Sequence, residues 1–387
     1  MNKQKICIIG GSLTGLVTAI SLSKLNCDID LIAGKNTQRN KVKGTVAISE
    51  KNLNFLNKLD ISKSLKKSVW PCSQMQLYAE TDDKKFLEVF QLNNHEKKKR
   101  VLYMIENSKI IKLMLDKIKT IKSINLKNNE KVSQIENSGL LKSIKFKKNS
   151  SKYNLVIVCA GSNSDLVKNI FNNNIIENSY NELSITTILN HSSFKNNTAK
   201  QIFLNNAILA FLPLSKNRTS IVWSIKKKYH IKNNKKIKNK IKMYAAHHLK
   251  KILFKNKIEY KDLSFLIRSK YYEDRVLLFG DALHLVHPFV GQGFNMTLRD
   301  LSLLKKTFYN KINLGLDIGS EDILAEFTNE IKPRNFVYSM GIDFLKNSFS
   351  LKNKSLNKIR NNILKTLNKS NFAKEMIFNV ADNGLKF

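Results

Sequence analysis

The chain has 387 residues, enough for about two or three units of ordinary size, and its 42% hydrophobic and 25% charged residues exclude a wholly disordered or fibrous protein. Its 67 basic and 30 acidic residues give a formal net charge of +37, which would suit a nucleic-acid or acidic-membrane partner. Only eight of the basic residues are arginines, however, and the lysines are spread with many asparagines over nearly every segment. That distribution is typical of a solvated surface shaped by compositional bias, so we expect no nucleic-acid partner.

The first segment with a clear pattern is 6–23, which carries no charge and so looks like a signal peptide or a membrane span. Within it, a short β-type run leads into a glycine turn at 10–15 and a helical run at 16–22. A second short strand follows at 29–32, and this order of elements predicts a βαβ unit. We therefore expect a soluble or peripheral protein, in the cytoplasm or on the inner face of the membrane.

The glycine turn has the spacing of the dinucleotide-binding fingerprint GxGxxG, with a serine in the place of the second glycine. In that fingerprint the glycines allow a tight turn and close approach of the backbone to a pyrophosphate, which the helix N-terminus attracts. The candidate nucleotide-binding residues are Gly10, Gly11, Ser12, Thr14 and Gly15. The alternative is a glycine turn with a purely structural role.

The most informative segment is 276–296, in which an apolar strand ends at Asp281 and a loop rich in proline and glycine leads to Asn295. A carboxylate at a strand end can accept hydrogen bonds from the hydroxyls of a polyol. Gly291 and Gly293 let the backbone approach a flat ring system. The alternative for any one of these residues is a capping aspartate or an ordinary loop glycine.

This run, GDAxH followed by HPxxGQGxN, resembles the signature of class A flavoprotein monooxygenases, and specifically of the ubiquinone-biosynthesis hydroxylase family. Four further stretches look like motifs of that family in the family's order, at residues 103–113, 153–164, 199–223 and 317–350. The resemblance implies an α/β fold with a discontinuous, Rossmann-like FAD-binding domain of the GR2 type. Into that domain a substrate domain with a mainly antiparallel β-sheet would be inserted, and a C-terminal helical segment would follow.

The domain boundaries follow from this resemblance and from the pattern of strands. We expect the FAD-binding domain to comprise residues 1–70, 101–178 and 273–345. We expect the substrate domain to comprise residues 71–100 and 179–272, with a hairpin at 209–223 that turns at 215–218. The C-terminal helices would occupy residues 346–387.

The resemblance also implies the chemistry. FAD would be the cofactor, NAD(P)H or another electron donor would reduce it, and O2 would be the co-substrate. The reduced flavin would form a C4a-hydroperoxide that transfers an oxygen atom to the aromatic ring of a polyprenylated phenol. The protein would supply position, electrostatics and exclusion of water, so neither a metal ion nor a catalytic triad is required.

Three sets of site residues follow from the resemblance. The residues expected to border the flavin face, as the catalytic pocket, are His287, Pro288 and Phe289. The residues expected to bind FAD are Gly10, Gly11, Ser12, Thr14, Gly15, Asn107, Gly280, Asp281, Gly291, Gln292, Gly293 and Asn295. The residues expected to contact the substrate are Leu212, Pro213 and Trp223.

We expect no metal site. His284 and His287 are three residues apart, but the sequence places no third ligand near them. The cysteines show no metal-type spacing and fit buried thiols in a reducing cytoplasm. These cysteines are Cys7, Cys27, Cys72 and Cys159.

The sequence departs from the family's motifs at positions that would contact FAD or reduced nicotinamide. Ser12 replaces a glycine, Ala33 stands where an acidic residue would bind a ribose, and Ala160 replaces the aspartate of a second turn. Two arginines of the family pattern are also missing, near Val167 and before Thr45. These departures leave open a non-catalytic paralogue in a quinone-biosynthesis complex. A class A hydroxylase of a soluble phenol is a second alternative, because the motifs do not specify the substrate.

Residues 345–387 have a helical and basic pattern, with leucine, isoleucine and phenylalanine interleaved among the charges. Such a segment suits peripheral docking on anionic lipid, where a polyprenylated phenol would reside, or docking on another quinone-biosynthesis enzyme. The alternative is a helix that packs on the flavin domain and presents a solvated lysine face.

Overall fold

The computed structural model describes residues 3–34, 44–81, 83, 85–93, 100–147, 149–162, 164–171, 175–230, 233–255, 257–288, 291–349 and 354–384. The strands are β1 (Gln4–Ile9), β2 (Cys27–Ala33), β3 (Thr45–Ile48), β4 (Trp70–Cys72), β5 (Gln74–Glu80), β6 (Phe86–Asn93), β7 (Leu102–Glu106), β8 (Ile124–Asn128), β9 (Gln134–Ser138), β10 (Leu141–Lys145), β11 (Ser150–Tyr153), β12 (Leu155–Val158), β13 (Ile175–Asn190), β14 (Thr198–Leu204), β15 (Ala207–Ser215), β16 (Arg218–Lys226), β17 (Leu253–Phe254), β18 (Glu259–Arg268), β19 (Tyr272–Glu273), β20 (Val276–Leu278) and β21 (His284–Leu285). The α-helices are α1 (Leu13–Leu22), α2 (Glu50–Leu56), α3 (Ser62–Ser68), α4 (Asn107–Ile118), α5 (Asp165–Ile170), α6 (Asn234–Ala245), α7 (Gln292–Asn313), α8 (Glu321–Ser348), α9 (Lys354–Lys369) and α10 (Asn371–Asn383).

A six-stranded sheet in the order β19-β20-β12-β1-β2-β8 forms the first layer. Its strands from β20 to β8 are parallel, and β1 lies between β12 and β2. The last four residues of β1 are buried, as expected for a parallel strand covered on both faces, and α1 is buried along nearly its whole length. Because these strands share one direction, their carboxyl ends at Ile9, Ala33, Val158 and Leu278 lie along one edge, where ligands of such sheets bind.

A nine-stranded sheet forms the second layer, in the order β21-β18-β13-β16-β15-β14-β5-β6 with β17 paired to β13. It is mainly antiparallel, and β14 pairs in parallel with β5. The expected hairpin is observed, because β15 ends at Ser215 and β16 begins at Arg218. Helix α6 covers one face, where Ile237 and Ile241 share an apolar cluster with Trp223.

The remaining elements join the two layers and cover their edges. In the small sheet β3-β7-β4, β7 packs against β15 and β3 packs against α7. Helix α9 lies on β6, the edge strand of the large sheet, and Oδ1 of Asn368 accepts a hydrogen bond from the backbone N–H of Gln91 at 2.9 Å. The helix thus covers an edge that would otherwise be open to pairing with another chain.

The expected architecture is observed as a parallel α/β layer, an antiparallel sheet and C-terminal helices. Three elements nevertheless cross the expected domain boundaries: β13 already begins at Ile175, β21 joins the large sheet although we expected it in the FAD-binding domain, and α8 continues to Ser348. Among the described residues, no helix has both the length and the apolar character needed to cross a membrane.

Candidate active site

The glycine turn lies between the end of β1 and the start of α1. Gly10 has a φ of +128°, and a Cβ there would lie 2.8 Å from the backbone of Cys159. A Cβ on Gly15 would lie 1.7 Å from the carbonyl oxygen of Gly10, so only glycine fits at both positions. Ser12, the exposed N-cap of α1, makes no capping hydrogen bond with its side chain. The first amides of α1 are therefore available to an anion, which fits a pyrophosphate.

A second turn meets the first at the same edge of the sheet. It is a single 3-10 turn, Gly280–Ala282, that follows β20. Gly280 has a φ of +64°, and a Cβ there would lie 2.6 Å from Cγ2 of Thr14, so the two turns touch. Thr14 and Gly11 are buried in this contact region, whereas Asp281 is exposed. The Asp281 carboxylate can therefore accept hydrogen bonds from ligand hydroxyls beside the phosphate-binding end of α1.

Arg268 supports the Asp281 turn, and the sequence analysis missed it. This last residue of β18 is 2% exposed. Its Nε donates to the carbonyl oxygen of Ala282 at 2.8 Å, and its Nη1 donates to that of Phe171 at 3.2 Å. Because a buried guanidinium without partners is costly, these bonds fix the turn relative to the large sheet. The signal in the sequence was a lone arginine at the end of an apolar strand.

The N-terminus of α7 forms a third part of the candidate site. Its N-cap, Gly291, has a φ of +68°, and a Cβ there would lie 2.7 Å from Cβ of Ala47 on β3. Gln292 accepts a hydrogen bond from the Tyr338 hydroxyl at 2.7 Å. A Cβ on Gly293 would meet nothing within 4 Å. The helix end is therefore packed tightly against β3 and open at Gly293, which leaves room for a flat ring.

The side chain of Asn295 is engaged in hydrogen bonds within the protein. Its Nδ2 donates to the carbonyl oxygens of Ala47 at 2.9 Å and Gly291 at 3.1 Å. Its Oδ1 accepts from the backbone N–H of Ser49 at 3.0 Å and from Nδ2 of Asn52 at 2.9 Å. An amide side chain has two donors and two acceptor positions, and all are in use. The side chain therefore holds β3 against α7, and the expected role of Asn295 in FAD binding stays a prediction.

A cavity of about 70 Å³ lies between β3, β7 and the inner face of the large sheet, lined mainly by apolar side chains such as Met104 and Leu212. Oγ1 of Thr45 is buried at this cavity and has no hydrogen-bond partner among the described residues. An unpaired hydroxyl in an apolar cavity fits a polar atom of a bound ligand. Asn107, the first residue of α4, lies beside Gly44, which directly precedes β3, and its N–H donates to the Gly44 carbonyl at 3.0 Å.

The structure describes two of the three residues expected to border the flavin face. Pro288 lines the cavity. His287 is 1% exposed and absent from the cavity lining, and its Nε2 lies 3.2 Å from Oε2 of Glu182. The structure thus places His287 behind the cavity wall, which contradicts our expectation. Phe289 lies outside the described residues.

Of the three expected substrate contacts, only Leu212 lines the cavity. Neighbouring residues of a strand point to opposite faces, so Pro213 is buried on the other side of the sheet. Trp223 is 2% exposed and packs toward α6, with its ring 6.2 Å from that of Tyr244. Val222, which we did not select, lines the cavity in its place.

The position expected to bind a ribose remains without an acidic residue. Ala33 ends β2 and is 2% exposed. The nearby Asp30 accepts a hydrogen bond from the Tyr153 hydroxyl at 2.6 Å and lies 3.2 Å from Nζ of Lys127. Burial opposes ionisation of Asp30, but these two partners hold its pKa below the ordinary value. Asp30 is therefore committed to an internal ion pair.

Comparisons with known proteins agree with a flavin site. A family model described as "FAD binding domain" matches residues 3–334. The chain is 24% identical to the mitochondrial ubiquinone biosynthesis monooxygenase COQ6 of Dictyostelium discoideum over 459 aligned positions, covering 100% of this chain and 93% of that protein. It is 27% identical to ubiquinone hydroxylase UbiL of Rhodospirillum rubrum over 184 positions, covering 44% of this chain and 41% of UbiL.

Solved structures show the same fold at low sequence identity. HpxO of Klebsiella pneumoniae in complex with FAD and uric acid has a TM-score of 0.78 and 14% identity, covering 98% of this chain and 97% of that one. The p-nitrophenol 4-monooxygenase PnpA of Pseudomonas putida has a TM-score of 0.80 and 12% identity, covering 100% and 99%. The expected fold class and FAD cofactor are thus confirmed, and the chain belongs to the FAD binding domain family as an FAD-dependent monooxygenase.

Proposed function

We propose that this monooxygenase hydroxylates the aromatic ring of a polyprenylated phenol in ubiquinone biosynthesis. The observation that carries the proposal is the apolar cavity beside the N-terminus of α7, where Leu212 and Val222 face Ala47 and Gly291. Similarity to COQ6 along the whole chain supports the same substrate class. An apolar cavity suits a hydrophobic ring better than a charged soluble metabolite.

The residues that we propose to hold FAD divide into two groups. The turn with Gly10 and Gly15 would bind the pyrophosphate through backbone amides, and Asp281 would bind hydroxyls of the ribityl chain. The N-terminus of α7 with Gly291 and Gly293 would lie at the isoalloxazine ring. When bound and reduced, the flavin supplies activation of O2, and NAD(P)H or another donor supplies the electrons. The cavity walls orient the phenol and exclude water.

A continuous apolar region supports a prenylated substrate. The cavity residues Met104 and Leu212 belong to the same hydrophobic cluster as Leu364 and Leu367 of α9 and Phe378 of α10. The interior around the cavity is therefore apolar as far as the C-terminal helices, which suits a long hydrocarbon chain attached to the ring.

The test compares two phenols that differ only in the prenyl chain. We expect purified protein with FAD, NADH or NADPH, and O2 to insert one oxygen atom into the prenylated phenol, detected by mass spectrometry. The matched phenol without the chain should react far more slowly. Faster turnover of the chain-free phenol would favour a hydroxylase of soluble phenols. Protein that binds FAD but hydroxylates neither phenol would favour the non-catalytic paralogue.

We also propose that the protein acts peripherally at the cytoplasmic face of a membrane, with α9 and α10 against anionic lipid. Leu356, Ile359 and Ile363 of α9 and Phe372 and Met376 of α10 are exposed apolar side chains. Basic side chains lie on the same helices, at Lys358, Arg360, Lys365, Lys369 and Lys374. Exposed apolar residues combined with basic residues are typical of helices that bind in the plane of an anionic membrane surface.

Vesicle sedimentation tests this contact. We expect binding to phosphatidylcholine vesicles only when they contain phosphatidylglycerol, and loss of binding in the double variant Ile359→Glu, Ile363→Glu. Met243→Glu is the matched control, since Met243 is equally exposed on the basic helix α6. Equal binding by wild type and double variant would contradict the proposal. Absence of vesicle binding together with capture of another quinone-biosynthesis enzyme would favour a protein partner.

A further inference from the structure

We propose that Glu182 is a positioning residue that, through His287, holds Pro288 at the edge of the proposed flavin site. The inference rests on the proposed flavin site and concerns a group of three side chains behind it. Oε2 of Glu182 lies 3.2 Å from Nε2 of His287, and Oε1 of Glu182 lies 2.9 Å from Nζ of Lys346. The three residues are 5%, 1% and 5% exposed, respectively.

The group connects three separate parts of the fold. Glu182 lies on β13, immediately after an irregularity in the pairing of that strand with β18. Lys346 lies in the last turn of α8. His287 directly precedes Pro288, which lines the cavity, and Gly291 begins α7 four residues later. One carboxylate therefore joins the large sheet, a C-terminal helix and the residue that precedes Pro288 at the cavity.

The charges in the group balance without a charged histidine. Burial lowers the pKa of His287, so its imidazole is neutral and donates from Nε2 to the carboxylate. Burial alone would raise the pKa of Glu182, but the hydrogen bonds from His287 and Lys346 hold it below its ordinary value. The ionised pair is thus Glu182 with Lys346, and His287 is held by a hydrogen bond to a charged acceptor, which is stronger than one between neutral groups.

The aromatic ring of Tyr180 completes the surroundings. It lies 5.4 Å from the His287 ring, edge to face, and 4.3 Å from Nζ of Lys346. Tyr180 thus packs against the imidazole while it also contacts the Lys346 ammonium, and Pro288 directly follows His287 in the chain. A buried hydrogen-bonded network of this kind specifies geometry more than it adds stability, because the ion pair must first be removed from water.

The experiment separates positioning of Pro288 from stability of the fold. Two double variants remove both buried charges: Glu182→Leu, Lys346→Met also removes the acceptor for His287, whereas Glu182→Gln, Lys346→Met keeps an acceptor. The probe is FAD itself, and the readouts are its Kd, the absorption spectrum of the bound flavin and the thermal unfolding temperature of the apoprotein. None of these depends on the phenol, so failure here is distinguishable from failure of the substrate proposal.

We expect the leucine double variant to bind FAD at least about tenfold more weakly, with an altered flavin spectrum, and the glutamine double variant to stay within about threefold of wild type. His287→Phe leaves the Glu182–Lys346 ion pair in place and should weaken FAD binding and alter the flavin spectrum as the leucine double variant does. It replaces the leucine double variant in the comparison if that variant does not fold. Asp30→Asn, which disrupts a buried ion pair on β2, should lower the unfolding temperature without changing the flavin spectrum. Wild-type FAD affinity and spectrum in both the leucine variant and His287→Phe would overturn the proposal.

Discussion

Asn295 and Ala47 are hydrogen-bonded across 248 positions of sequence, with Nδ2 of the asparagine donating to the alanine carbonyl at 2.9 Å. This bond joins the first turn of α7 to β3, the two elements that meet at Gly291. A side chain that is absent from the cavity lining thus joins two elements that border the cavity at Ala47 and Gly291.

Replacement of Asn295 by alanine tests this relationship. The change leaves the Ala47 and Gly291 carbonyls and the Ser49 amide without their buried partner, so we expect the free energy of unfolding to fall by about 3 kcal/mol, with weaker FAD retention. Urea unfolding of the apoprotein measures the first effect and flavin fluorescence the second. Asn362→Ala on the exposed face of α9 is the control, with an expected change below about 0.5 kcal/mol. Equal stability of the two variants would contradict the role.

Asp281 should affect FAD binding and not folding. It is exposed in a turn that Arg268 already anchors through the backbone, so Asp281→Ala should leave the unfolding temperature nearly unchanged. Loss of a hydrogen bond between a carboxylate and ligand hydroxyls should raise the Kd for FAD about 10- to 100-fold. Titration of apoprotein with FAD provides the measurement, and Asp83→Ala at an exposed site provides the control. An unchanged Kd for FAD would contradict the proposed contact between Asp281 and FAD.

The two faces of β16 should respond differently to substitution. Val222→Trp fills the cavity and should raise the KM for the phenol substantially, with a small effect on stability. Trp223→Phe alters the packing against α6 and should cost about 1–3 kcal/mol of stability without changing the KM. Steady-state kinetics and thermal unfolding of both variants give the comparison. A KM effect confined to Trp223→Phe would reverse the assignment of the faces.

His248 should make the fold sensitive to acid. Burial, and then the nearby Lys200, lowers the pKa of His248 from 6.5 to about 4, and Nζ of Lys200 lies 3.2 Å from its Nδ1. In the unfolded chain His248 takes up a proton near pH 6.5, whereas in the folded chain it does so only near pH 4. The stability present at pH 7 is therefore progressively lost as the pH falls from about 6.5 toward about 4. His248→Phe should therefore flatten the dependence of the unfolding temperature on pH across this interval. An unchanged slope would contradict the prediction.

The parts of the site that the sequence predicted are those fixed by the local backbone. Gly10 and Gly15 lie in positions where a Cβ cannot fit, and such requirements leave a visible pattern of glycines. The bonds of Asn295 to Ala47 and of Glu182 to His287 were not predictable, because each joins residues more than a hundred positions apart. Trp223 was misplaced because an apolar strand buried on both faces shows no alternation that tells the two faces apart.

Helix α9, which covers β6, also determines how long during synthesis this edge strand is open to aggregation. Synthesis runs from the N-terminus, so the ribosome completes β6 at Asn93 long before it reaches Lys354, where α9 begins. During that interval the backbone groups of the edge strand are open to pairing with another nascent chain. A chain that ends before α9 would keep both sheets and the glycine turn but lose this cover, so such truncations should be found in the insoluble fraction of the cell.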